Sequence, residues 1–103
     1  MQPSERRASP RRQQHKVRVQ VRTARHPRGV GGWVIDRSRS GLCLLLEEDV
    51  KLGARLKVRP TSAPDKSDWV AVVVKNRRRR EKGYVLGCEF AQVPPLLTLL
   101  LFG

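Results

Sequence analysis

Apolar residues in this chain recur at every second position in short runs, a period that sends them to one face of an extended strand rather than to a helical stripe. The cleanest run sets Val17, Val19 and Val21 against Lys16, Arg18, Gln20 and Arg22. It predicts a first strand starting near His15. Residues 26–32, His-Pro-Arg-Gly-Val-Gly-Gly, read as a reversing loop. Trp33 to Arg37 is then a second strand, and Leu42 to Leu46 a third that ends at the acidic turn Glu47-Glu48-Asp49. Beyond Gly53, a fourth strand sets Leu56 and Val58 opposite Lys57 and Arg59. Residues 61–68 are a polar loop, Trp69 to Val74 a fifth strand, residues 76–83 a charged connection and Tyr84 to Phe90 a sixth strand. Six short strands without a long helix predict an antiparallel barrel or sandwich, and barrel closure leaves few exposed edges.

A chain of 103 residues suffices for one core. Residues 1–14 hold Arg6, Arg7, Arg11, Arg12, Pro3 and Pro10 with almost nothing apolar, so they are expected to form a flexible basic arm. Residues 15–103 are the expected barrel domain. Pro94-Pro95 stops the sixth strand, and the apolar tail Leu96 to Phe102 is expected to fold back as a short cap over an open end of the barrel. A dimer contact is the competing role for that tail, because monomers seldom expose such patches. Trp33, Trp69, Tyr84, Phe90 and Phe102 sit in apolar surroundings that suggest core.

Lys and Arg number 22 against 9 Asp and Glu, a formal charge of +13. Such an excess calls for an anionic partner without choosing among nucleic acid, acidic membrane, phosphate-bearing small molecule and acidic protein. Cys43 and Cys88 each lie in an apolar run, which predicts two buried free thiols rather than a disulfide framework or a zinc site. The N-terminus has no apolar secretory segment and residues 96–102 are too few to span a bilayer, so a cytoplasmic protein is expected. His15 and His26 stand apart from any nucleophile or carboxylate pair, and an enzyme is not expected. No metal or cofactor is called for.

Two short segments carry the recognition chemistry: Arg6-Arg7-Ala-Ser-Pro-Arg11 in the arm, and Asp36-Arg-Ser38-Arg-Ser-Gly41 between the second and third strands. Alone, the first is an ordinary solvated tail. The second, alone, is a turn capped by its own Asp and Ser side chains. In this order, one strand and its return apart, they resemble the PilZ domain family, whose hallmark is RRxxxR ahead of the first barrel strand followed by D/NxSxxG. The likeness extends through Leu42 to Leu46, Val50 to Val58 and Tyr84 to Phe90, and so over most of the chain.

That resemblance implies a six-stranded antiparallel β-barrel and, as ligand, the second messenger cyclic di-GMP. Arg7 and Arg11 would be the principal clamps and Arg6 an auxiliary one. Asp36 and Ser38 would read a guanine edge, and Gly41 would allow close backbone approach. The chemistry is consistent: guanine O6 and N7 suit an arginine fork, its N1 and N2 suit a carboxylate, and guanidinium groups stack on purines and bind phosphate. Binding would tie the arm to the barrel and present a new surface to a downstream protein, from a monomer or a ligand-dependent dimer. Two alternatives stand. Lys75 and Arg77 to Arg80, read as a hairpin tip, fit a barrel that binds nucleic acid non-specifically, although the shortage of exposed aromatics speaks against it. A PilZ-like interaction module without ligand binding is the other.

Overall fold

A computed structural model describes residues 16–64 and 67–102. The chain forms β1 (Val17–Arg22), β2 (Val30–Arg37), β3 (Gly41–Leu46), β4 (Arg55–Pro60), β5 (Val70–Arg80), β6 (Gly83–Phe90) and a short α1 (Leu96–Leu100). The strands close into an antiparallel barrel in the order β1-β2-β3-β6-β5-β4. All six predicted strands are present. The expected flexible arm, with Arg6, Arg7 and Arg11, lies outside the described residues.

Alternation fills the interior. Val19, Val21, Val34, Leu44, Leu56, Val58, Val72 and Leu86 point inward and are essentially inaccessible, and no polar or charged side chain is buried with them among the described residues. Each such side chain contributes about 1.5–3 kcal/mol by leaving water. The polar partners in the period-2 pattern line the outside, which makes the outer wall unusually cationic.

Four expectations are corrected. Residues 76–80 are not a connection: β5 runs on to Arg80, paired with β6 from Asn76↔Gly87 to Arg80↔Gly83, and the turn is Glu81-Lys82. A register shift between Val74 and Asn76 re-aims this second half of the strand. Charge hid it, because these side chains stand off the barrel and leave no buried face for alternation to reveal. At the other side, β2 begins at Val30, so Gly31 and Gly32 belong to a strand and not to the loop. Gly32 fits closely there: a Cβ would lie 2.4 Å from the tip of the Leu46 side chain and 3.0 Å from the Leu45 carbonyl oxygen.

The aromatics divide. Phe90 and Phe102 are in the core and Tyr84 packs against it, but Trp33 is exposed and Trp69 half-buried on the outer wall. Each tryptophan carries arginine over its ring: Arg18 at 5.1 Å from the Trp33 centroid, Arg22 at 3.9 Å and Arg59 at 4.6 Å from that of Trp69. An indole bordered by apolar neighbours in sequence is here held by cation–π contacts instead of burial. Fourth, Cys43 is only half-buried, while Cys88 is buried.

The C-terminal tail anchors through Leu99 and Phe102, both buried, while Leu96, Leu97, Leu100 and Leu101 remain exposed. It thus covers the barrel with only part of its apolar surface. Among the described residues, no helix is long and apolar enough to cross a membrane.

Candidate functional site

Asp36 is the penultimate residue of β2, and the chain reverses through Ser38 to Ser40 into Gly41 at the head of β3. Ser38 builds this reversal. Its amide donates to the Gly41 carbonyl at 2.9 Å, and its Oγ accepts the amides of Ser40 at 3.3 Å and Gly41 at 3.2 Å. The hydroxyl is engaged within the turn on its donor side as well, with Ser40 Oγ at 3.2 Å and the Gly41 carbonyl at 3.5 Å. Gly41 has no positive φ; its necessity is steric, since a Cβ would sit 1.8 Å from the Cys88 carbonyl oxygen. The close approach it permits is to strand β6.

Asp36 differs from both. Its side chain is exposed, and Oδ1 accepts the Arg37 amide at 2.8 Å, which fixes the carboxylate direction while leaving acceptor capacity unused by that bond. A register irregularity between Val34 and Asp36 turns this residue onto the outer wall, directly across from Cys43. Cys43 in turn faces Gly87 on β6, and Gly87 faces Asn76 on β5. One cross-strand row thus runs Asp36, Cys43, Gly87, Asn76 over four strands.

Gly87 makes the row concave. A Cβ there would lie 2.5 Å from Asn76 Oδ1, so the Asn76 carboxamide lies over the position a side chain would take. The result is an open groove of about 250 Å³ lined by Asp36, Ser38, Gly41, Cys43, Asn76 and Gly87, with Lys75 and Glu89 at its margin. Lys75 Nζ and Glu89 Oε1 stand 3.9 Å apart. Burial raises the Cys43 thiol pKa, the nearby Asp36 carboxylate adds to this, and Arg78 and Arg80 oppose it. Cys88, on the inner face, is pushed up to about 12 by burial and by Cys43. Both thiols are poor nucleophiles at neutral pH.

Of the residues predicted from sequence, Asp36, Ser38 and Gly41 come together at one end of this groove. Arg6, Arg7 and Arg11 lie outside the described residues. The sequence reading missed Cys43, Asn76 and Gly87. A glycine in the middle of a strand pattern marks a close approach or a missing side chain, and Gly87 carried that signal. Asn76 did not, being hidden at the start of a charge run.

The described residues offer a carboxylate, a carboxamide and nearby cations, a set suited to a ligand with a donor-rich heterocyclic edge and negative charge. No group of three or more His, Cys, Asp or Glu side chains that could hold a metal occurs among them. The groove is smaller than the roughly 300–1,000 Å³ of enclosed small-molecule sites. Comparison with known proteins adds one finding: the family model described as "PilZ domain" matches residues 5–101. Neither the curated proteins nor the solved structures gave a match.

Proposed function

The chain belongs to the PilZ domain family, a family of cyclic di-GMP receptors, and from that premise we propose that it binds cyclic di-GMP between the groove at Asp36 and the arginines of residues 6–11. The observation that carries the proposal is the Asp36 carboxylate. It is exposed and oriented by the Arg37 amide, and it lines a groove together with Ser38, Gly41, Cys43 and Asn76. A carboxylate so held accepts the N1 and N2 hydrogens of a guanine, which adenine cannot supply in that arrangement. Ser38 holds the turn through its hydroxyl and Gly41 keeps β3 against β6, so these two act chiefly by positioning Asp36.

An open groove of this size encloses only part of a dinucleotide. Arg7 and Arg11, with Arg6 assisting, close it from the other side, meeting guanine O6 and N7 and the phosphodiesters. Ligand then links the segment ahead of β1 to the turn between β2 and β3, and the joined surface is what a downstream protein reads. Such a module is a ligand-switched receptor or adaptor and not a catalyst.

Calorimetric titration at moderate salt tests this with cyclic di-GMP, cyclic di-AMP and GMP. Cyclic di-GMP binds and its adenine counterpart does not. Arg7→Ala, Arg11→Ala and Asp36→Ala each weaken binding by about tenfold or more, since a charge-assisted hydrogen bond is worth ~1.5–3 kcal/mol. Binding indifferent to base, or undiminished in all three variants, overturns the proposal.

A further inference from the structure

The barrel order places the β1–β4 wall diametrically opposite the β3–β6 wall that floors the groove. The outward positions of β1 are Arg18, Gln20 and Arg22, and those of β4 are Arg55, Lys57 and Arg59. Gln20 is the one neutral residue, and no carboxylate occurs among them. The groove wall is mixed by contrast, with Asp36 and Glu89 among its cations. Cross-strand register makes the β1–β4 array continuous: Gln20 faces Arg59, and Arg22 faces Lys57.

Both tryptophans of the chain border this array. Trp33 pairs with Arg18 in the β1–β2 register and retains 36% exposure. Trp69 holds the guanidinium groups of Arg22 and Arg59 against its ring. Arginines stacked in this way lose less freedom when they bind an anion, because their planes are already fixed. Like charges crowded on one wall cost stability through mutual repulsion, and an anionic polymer is the partner that relieves it.

We infer that the β1–β4 wall, with Trp33 at its edge, is a binding surface for single-stranded nucleic acid, separate from the dinucleotide groove. Five cations, Arg18, Arg22, Arg55, Lys57 and Arg59, track a phosphate backbone, and the exposed Trp33 indole offers a π-face to an unpaired base. Cationic tracks with stacking aromatics bind single strands with little sequence preference. A duplex would leave Trp33 without a base face, and an acidic protein would use the charges but not the indole.

The test is fluorescence anisotropy of the full chain with a labelled oligothymidylate of about 15 nucleotides, within the usual single-strand site size. A matched duplex and polyglutamate run as competitors, and intrinsic tryptophan emission is read in parallel. The single strand binds more tightly than either competitor and quenches tryptophan emission, and log affinity falls linearly with log salt. Arg55→Gln combined with Lys57→Gln removes two phosphate contacts, lowering the slope by about 1.4 and the affinity about tenfold. Trp33→Leu weakens oligonucleotide binding and reduces the quenching.

Circular dichroism and thermal unfolding establish that these surface variants remain folded, and their cyclic di-GMP titrations match that of the parent. Arg7→Ala with Arg11→Ala keeps the oligonucleotide affinity within twofold. Undiminished oligonucleotide binding in the Arg55/Lys57 variant overturns the inference. So does a duplex or polyglutamate that binds at least as tightly as the single strand, or the absence of binding at low salt.

Discussion

Gly41 sits where the barrel wall tolerates no side chain, with the Cys88 carbonyl oxygen 1.8 Å from the place of its missing Cβ. In sequence it is the last residue of D-x-S-x-x-G, and in structure it lets β3 lie against β6 in the register Gly41↔Glu89. Ser38 spends its acceptors on the same turn. Two of the three motif residues therefore build the platform on which the third, Asp36, is displayed. Gly41→Ala should lower stability by about 3 kcal/mol, at the upper end of overpacking costs, because the clash is with backbone that cannot rotate aside. Chemical unfolding measures it; a midpoint within error of the parent would show that the strands separate at no cost. The sequence displayed this motif openly because turns specify residue type. It could not display Asn76, whose place over Gly87 depends on strand register.

At the scale of elements, β5 departs most from expectation. Its first half, Val70 to Val74, announces itself by buried alternation. Beyond the irregularity at residue 75, four arginines in succession give no pattern to read, yet every one is paired with β6. Arg77 binds Asp49 and reaches the Val50 carbonyl at 3.3 Å, which ties the strand to the loop after β3. Arg78, two positions beyond Asn76 on the same wall, contributes its charge beside Cys43. Arg78→Gln should weaken cyclic di-GMP binding about threefold to tenfold and flatten its salt dependence, as expected on removing one cation near the groove from the field that attracts an anion. Isothermal titration at two salt concentrations reads both, and an unchanged affinity at low salt would place Arg78 outside the ligand's field. The glycines of β2 were equally hard to read, since Gly31 and Gly32 look like a loop until Gly32 is seen packed against Leu46.

For the whole molecule, strand number and antiparallel pairing followed from period and turn chemistry, while the choice of a closed barrel came with the family resemblance. The closed order then fixes something no linear pattern carries: which walls lie back to back. It assigns the motif turn, Cys43 and Gly87 to one wall and the outward positions of β1 and β4, cationic except for Gln20, to the other. Two surfaces of different charge character result, a groove of mixed sign and a cationic track. The tryptophans escaped sequence reading because apolar neighbours suggest burial, whereas stacking arginines come from adjacent strands.

Backbone amide chemical-shift mapping of the full chain during a cyclic di-GMP titration tests the central claim most directly, because it reports both walls and the N-terminal segment together. Saturable shifts are expected at Arg7 and Arg11, from Asp36 through Cys43 and at Gly87, with Arg22, Arg55 and Lys57 unmoved. Shifts concentrated on β1 and β4, with Asp36 to Cys43 unperturbed at saturation, would contradict it.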